Sequence, residues 1–212
     1  MARPRKEQEL DIARRAVEET IRLLAVRGDF DVPLSEVAQA VGCTAPALYS
    51  HFRNKNALLR AARDEGFRRL YKEKLAVPGE MRADPIGYLR GGSYVYVRFA
   101  LGNPTLYRLM LTPPTRLGVG DDPWSNEIGR QILSLLLKGL HCSQERGFLP
   151  DGDLKRYGFL FWSAVHGAVC LNLQNRALDE AAKWDATRDA VDTLLGTSIF
   201  DLFRSRVAGS AA

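Results

Sequence analysis

Apolar residues recur at three- and four-residue steps through most of the chain, which is the period of an α-helix with one buried face. The first such stretch runs from Glu9 to Arg27. Ala13, Ala16, Val17, Thr20, Ile21 and Leu24 form its stripe, and Arg14, Arg15, Glu18, Glu19 and Arg22 fall outside it. Gly28 is placed to stop it. Pro33 suits the first turn of a short helix over residues 34–41, in which Leu34, Val37, Ala38 and Val41 share a face. Gly42 and Cys43 make a turn, and Thr44 can cap a second short helix over 45–51. Pro46 is tolerated there because the amide it lacks has no helical partner in a first turn. Two short helices joined by a tight glycine turn follow the helix-turn-helix plan. Asn54 can cap a longer helix over 55–75, which Val77-Pro78-Gly79 ends.

Beyond residue 79 the helical period continues, with helices expected at about 84–102, 104–111, 124–147, 151–175 and 183–205. No alternating strand pattern competes with it. The expected fold is therefore all-α: an N-terminal three-helix domain with a helix-turn-helix, then a helical regulatory and dimerisation domain. The expected boundaries are 1–54, a connecting helix over 55–77, and 78–212.

Charge sharpens this picture. The net charge is +5, and the first 75 residues hold 15 of the 30 Lys and Arg but only 11 of the 25 Asp and Glu. No acid lies between Val37 and Arg63, whereas Arg53, Lys55 and Arg60 do. A basic face over a helix-turn-helix suits a polyanion. Arg3, Arg5 and Lys6 form either a phosphate-touching arm or a solubilising tail. Hydrophobic residues at 46% allow an ordered core, and no apolar run approaches the ~20 residues of a membrane span. The basic start lacks an apolar stretch behind it, so a cytoplasmic location and no membrane partner are expected. Cys43, Cys142 and Cys170 are far apart, as are the three histidines. They read as free thiols, with redox sensing of one as the alternative, and no metal or other cofactor is expected.

The segment from Leu34 to Leu59 resembles the DNA-binding signature of the TetR family. Its most specific part is Ala47-Leu-Tyr-Ser-His-Phe, followed by Lys55 and Leu58-Leu59. The resemblance implies that Tyr49, Ser50 and His51 lie at the phosphate-facing end of the recognition helix and that Lys55 meets a phosphate at the start of the next. Physical reasoning assigns the other end of that helix to the base edges of the major groove. There Thr44 is polar, Ala45 is small enough for close approach, and Pro46 and Ala47 suit thymine methyl groups. One departure is visible. Val32 and Pro33 stand where many family members carry Ser or Thr, and Ser35 is the nearest substitute for that phosphate contact.

Phe159-Leu-Phe-Trp-Ser-Ala-Val-His-Gly resembles the Trp-x-x-x-His-Gly segment of one TetR subgroup, and Asn103-Pro-Thr-Leu-Tyr resembles another stretch of its C-terminal domain. This implies a homodimer formed by the last two long helices. Gly158, Ala164, Gly167 and Ala168 would permit close helix approach, and Val191, Leu194, Leu195, Phe200 and Phe203 would supply an apolar face, with the core of the single subunit as the alternative use of that face. Phe99, Tyr107, Met110, Trp124, Phe159, Trp162 and His166 are the candidate lining of a pocket for a small apolar effector, with a plain core role as the alternative for each. The expected function is a repressor that binds palindromic double-stranded operator DNA as a dimer and is released by that effector. An effector-independent DNA-binding or architectural protein is the alternative. No phosphate-cradling loop, metal spacing or nucleophile–base pairing argues for an enzyme.

Overall fold

A computed structural model of the chain describes residues 6–114, 117, 118 and 127–198. They form α1 (Lys6–Arg27), α2 (Leu34–Val41), α3 (Ala45–Tyr49), α4 (Lys55–Leu75), α5 (Pro85–Gly102), α6 (Pro104–Leu111), α7 (Glu127–Glu145), α8 (Leu154–Gln174) and α9 (Glu180–Thr193). A π-helical turn over Leu194–Ser198 extends α9. No strand occurs among the described residues, and no helix among them is long and apolar enough to cross a membrane. The expected all-α class is the observed one.

Caps set several boundaries that periodicity leaves vague. Gly42 takes the left-handed conformation at φ 74°, closing α2 with its amide bonded to the Gln39 carbonyl. Asp153 caps α8 by accepting from the Lys155 amide, and Asp179 caps α9 by accepting from the Ala182 amide. The latter starts α9 three residues ahead of the expected 183, because a cap is a local hydrogen bond and not part of the apolar period. Helix α3 ends at Tyr49 instead of His51. The His51 amide bonds to the Leu48 carbonyl, three residues back, and the Ser50 hydroxyl donates to the Ala47 carbonyl. The helix tightens there instead of continuing.

The contacts divide the chain into two compact units that do not follow the linear order expected. One combines the described parts of Met1–Arg69 and Asn103–Ser125, the other those of Leu70–Gly102 and Asn126–Ala212. Helix α6 clusters with the N-terminal helices in this division. It packs against α1. Leu106, Tyr107, Leu109 and Met110 are buried there, Tyr107 completely. Gly66 of α4 lets it come close, since a Cβ at that position would lie 2.6 Å from the Met110 sulfur. Arg108 donates to the Gly28 carbonyl at 2.6 Å and covers the Phe30 ring at 5.6 Å. Leu24, Val37, Leu48, Leu58, Leu59 and Phe67 complete this core.

In the second unit α5 packs against α7, α8 and α9. Glycines permit close approach: a Cβ on Gly139 would meet Leu89, and one on Gly158 would meet Leu137. The Gly91 position approaches Val77 in the same way, at 2.9 Å, whereas a Cβ on the neighbouring Gly92 would make only ordinary contact with Lys74. Val191, Leu194 and Leu195 are buried within this unit, at 1%, 9% and 6% exposure. Of the two uses expected for this face, these three residues take the second: they line the core of their own subunit. Phe200 and Phe203 lie outside the described residues.

Candidate functional site

The reading end of the first unit is built by two caps around a tight turn. Gly42 ends α2, the Cys43 amide bonds back to the Ala38 carbonyl, and Thr44 begins α3 by accepting from the Ala47 amide. Arg15 of α1 donates to the Val41 carbonyl at 2.6 Å and fixes the end of α2. Leu48 and Phe52 face inward, buried beside α2 and α4 residues of the same core. The opposite side of α3 is left to solvent. Thr44, Pro46, Tyr49 and Ser50 are exposed, and Ala45, Ala47 and His51 are half-buried. Tyr49 is 52% exposed, which is high for so large a ring. Ser35 is exposed on the first turn of α2. The nine residues expected at a nucleic-acid interface thus remain accessible in whole or part, on one helix-turn-helix and the start of the next helix.

Lys55 opens α4, where Asn54 caps the helix by accepting from the Ala57 amide at 2.9 Å. Its ammonium donates to the Asp31 carboxylate at 2.8 Å. Sequence periodicity gives no sign of this pairing across 24 positions. Asp31 occupies the cation that the resemblance assigns to a phosphate. A carboxylate so exposed, at 83%, holds it only weakly against solvent.

The second unit contains a polar cluster around His166. The imidazole stacks on Trp162 of the same helix, with ring centroids 4.7 Å apart and planes at 16°. Its Nδ1 lies 3.0 Å from the Tyr96 hydroxyl on α5, and its Nε2 lies 3.4 Å from the Cys170 sulfur. Burial holds the His166 pKa below the usual imidazole value, so the ring is neutral near pH 7. On the far side of Tyr96, the Lys74 ammonium sits 5.7 Å from the ring centre and donates to the Gly92 carbonyl at 2.8 Å. Desolvation pushes Lys74 down to about 8.

Of the expected effector-pocket residues, Trp162 and His166 belong to this cluster. Phe99 is buried in α5 of the same unit. Tyr107 and Met110 are core residues of the first unit. Phe159 is 65% exposed on α8, and Trp124 lies outside the described residues. Tyr96, Lys74 and Cys170 are additions to the expected set. Cys170 is readable in principle, one turn beyond His166 as Trp162 is one turn before it. Tyr96 and Lys74 are not, because only tertiary packing brings them there. A separate cleft of about 510 Å³ lies elsewhere in this unit, lined by Met81, Arg82, Lys138, His141 and Cys142 among others.

Comparison with known proteins agrees with both halves. Residues 11–62 match the family model of bacterial regulatory proteins, tetR family. Residues 89–196 match that of the tetracyclin repressor-like C-terminal domain. Among solved structures, a protein of unknown function from Rhodococcus sp. RHA1 is 23% identical with a TM-score of 0.67, covering 87% of this chain and 93% of its own. The TetR-family transcriptional regulator PfmR from Thermus thermophilus is 21% identical with a TM-score of 0.62, over 85% and 97%. The fatty acid degradation regulator FadR from Bacillus halodurans is 17% identical with a TM-score of 0.64, over 89% and 97%. At these identities the likeness is one of fold. No curated protein sequence matches the chain.

Proposed function

We propose, from the premise that the chain belongs to the tetR family of bacterial regulatory proteins, that this DNA-binding transcriptional regulator is a repressor, that it holds a palindromic operator as a homodimer, and that a small, largely apolar effector releases it. The observation that carries the reading is the exposed surface of α3, with Thr44 at its start, Tyr49 at its end and Lys55 beyond. Thr44, Ala45, Pro46 and Ala47 meet base edges. Ser35, Tyr49, Ser50, His51 and Lys55 meet phosphates and fix the register without reading sequence. With one polar side chain at the reading end, much of the discrimination falls to thymine methyl groups and DNA shape.

The test is operator affinity over a range of salt, using a duplex with an inverted repeat taken from the DNA flanking the gene. Lys55→Ala is expected to weaken binding and to lower the salt slope by about one ion per subunit. Asp31→Asn is expected to strengthen binding a few-fold, because it frees the Lys55 ammonium and removes a negative charge facing the phosphates. Unchanged affinity and slope in both variants would remove Lys55 from the interface.

The homodimer reading rests on the outward ridge of α8. Phe159, Ser163, Gly167 and Leu171 stand one turn apart, and the two large residues at its ends are 65% and 71% exposed. Nothing lies within 4 Å of a Cβ built on Gly167. A ridge with large ends and a small centre suits crossing with a copy of itself about a two-fold axis. Two such subunits place two reading helices on successive major grooves, roughly 34–36 Å apart.

For the effector, the cluster of Trp162, His166 and Tyr96 supplies an aromatic face with hydrogen-bonding groups, the usual composition of a small-molecule site. Release requires that the effector bind the state with low DNA affinity better than the other. By linkage, operator must then weaken effector binding by the same factor. Titration of an effector with and without operator, followed through fluorescence and repeated in Trp162→Ala, tests this. Equal affinity in the two titrations excludes release by that molecule.

A further inference from the structure

Lys74 carries a charge that its surroundings do not balance. It lies near the end of α4, in the second unit, and its side chain is half-buried. The ammonium donates to the Gly92 carbonyl at 2.8 Å and stands 5.7 Å from the centre of the Tyr96 ring. A carbonyl and a ring face are partners for a cation but not counter-ions. Among the described residues no carboxylate pairs with it, and desolvation alone lowers its pKa to about 8, which leaves it charged near pH 7. Asp192, an acid of the same unit, is engaged elsewhere: it accepts from Arg90 at 2.9 Å and from the Tyr94 hydroxyl at 2.7 Å. A lysine ordinarily extends its head to water. A methionine of similar length would pack in this position without desolvating a charge.

We propose that Lys74 is the anion-recognising end of the effector site and that the effector is an apolar carboxylic acid, with its carboxylate on the Lys74 ammonium and its hydrocarbon body toward the Trp162–His166 stack. This rests on the effector reading given above and narrows it to one chemical class. Tyr96 joins the two ends. Its ring faces Lys74, its hydroxyl lies 3.0 Å from His166 Nδ1, and the imidazole stacks on Trp162 at 4.7 Å. The cluster therefore runs from ammonium through phenol and imidazole to indole, and it falls in polarity in the same order as an amphipathic acid.

The chemistry at the charged end fits a carboxylate. An ammonium has three donors. The Gly92 carbonyl accepts from one, and the two oxygens of a carboxylate suit the others. Charge-assisted bonds of this kind are strong, and more so where water is displaced. Burial keeps His166 neutral, so within the cluster the recognition of charge falls to Lys74. Trp162 and His166 are half-buried, which leaves part of their aromatic surface for an apolar body to cover.

The experiment titrates octanoate and 1-octanol into the full-length protein, following tryptophan fluorescence and heat of binding. The two share a chain flexible enough to adapt to an apolar site and differ in the head. Water holds a carboxylate far more firmly than a hydroxyl, so a site without a cation prefers the alcohol. The wild-type protein is expected to bind octanoate about tenfold or more tighter than octanol, the scale of one hydrogen bond between charged groups. Lys74→Met is expected to reverse the order through loss of octanoate affinity, with octanol affinity and the thermal midpoint retained. Octanol bound as tightly as octanoate by the wild-type protein overturns the proposal, a comparison that needs no variant, and leaves the effector site standing where Trp162→Ala weakens both. An octanoate preference that survives Lys74→Met overturns it as well. Binding of neither compound at millimolar concentration removes the effector site and the proposal together.

Discussion

Replacing Leu171 by arginine is expected to turn the protein into folded monomers that lose at least about a hundredfold in operator affinity. The affinity term is avidity: two reading heads on one particle bind the second half-site intramolecularly, and a monomer forfeits that factor of about 10² or more. The expected monomerisation follows from position. Leu171 is 71% exposed on α8, so a charge there costs the isolated subunit little, but an arginine at the end of the paired α8 ridge would be buried in the apolar interface without a partner. Helicity and thermal midpoint of the subunit should hold, with sedimentation reporting the change of mass. The contrast is Val191→Arg. Val191 is 1% exposed in the core of the second unit, so this variant should unfold the subunit, by the cost of burying an unpaired charge. A dimeric Leu171→Arg protein at micromolar concentration would show that α8 pairs by another face or not at all.

Tyr107→Ala is expected to destabilise the DNA-binding unit by roughly 3–5 kcal/mol, the range for truncating a large buried aromatic. The residue lies more than fifty positions beyond the reading helix, yet it is completely buried in the same unit. The measurable consequence is an operator-binding activity that fails at lower temperature than in the wild-type protein, with near-normal affinity in the cold where the unit still folds. A fragment ending at residue 77 should share the defect, because it lacks α6 and exposes the surface that α1 presents to it. Wild-type stability in both would mean that α6 leans on the unit without supporting it.

The helix-turn-helix was legible because its determinants are local. Gly42 at φ 74°, Thr44 as a cap and the inward spacing of Val37, Ala38, Val41 and Leu48 are each decided within a few residues. The start of α6 after Asn103-Pro104 was legible for the same reason, since proline suits a first turn. The face of α3 left to solvent follows from which residues are apolar. What sequence could not decide was which apolar face meets which. Val191, Leu194 and Leu195 make as good a dimer stripe as a core stripe by period alone, and Phe159 looks like pocket lining until its exposure is known. Periodicity says that a face is buried but not by what, because the burial of apolar area has no direction or address. The same holds for α6, whose apolar side fitted the neighbouring C-terminal helices as well as α1 on paper. Close approach at Gly66 and the reach of Arg108 to the Gly28 carbonyl decided between them. The chain by itself determined the helices, their caps and the reading surface. Tertiary packing alone decided the partner of α6, the inward turn of α9, and the meeting of Lys74 and Tyr96 with His166, because each depends on contacts between residues tens of positions apart.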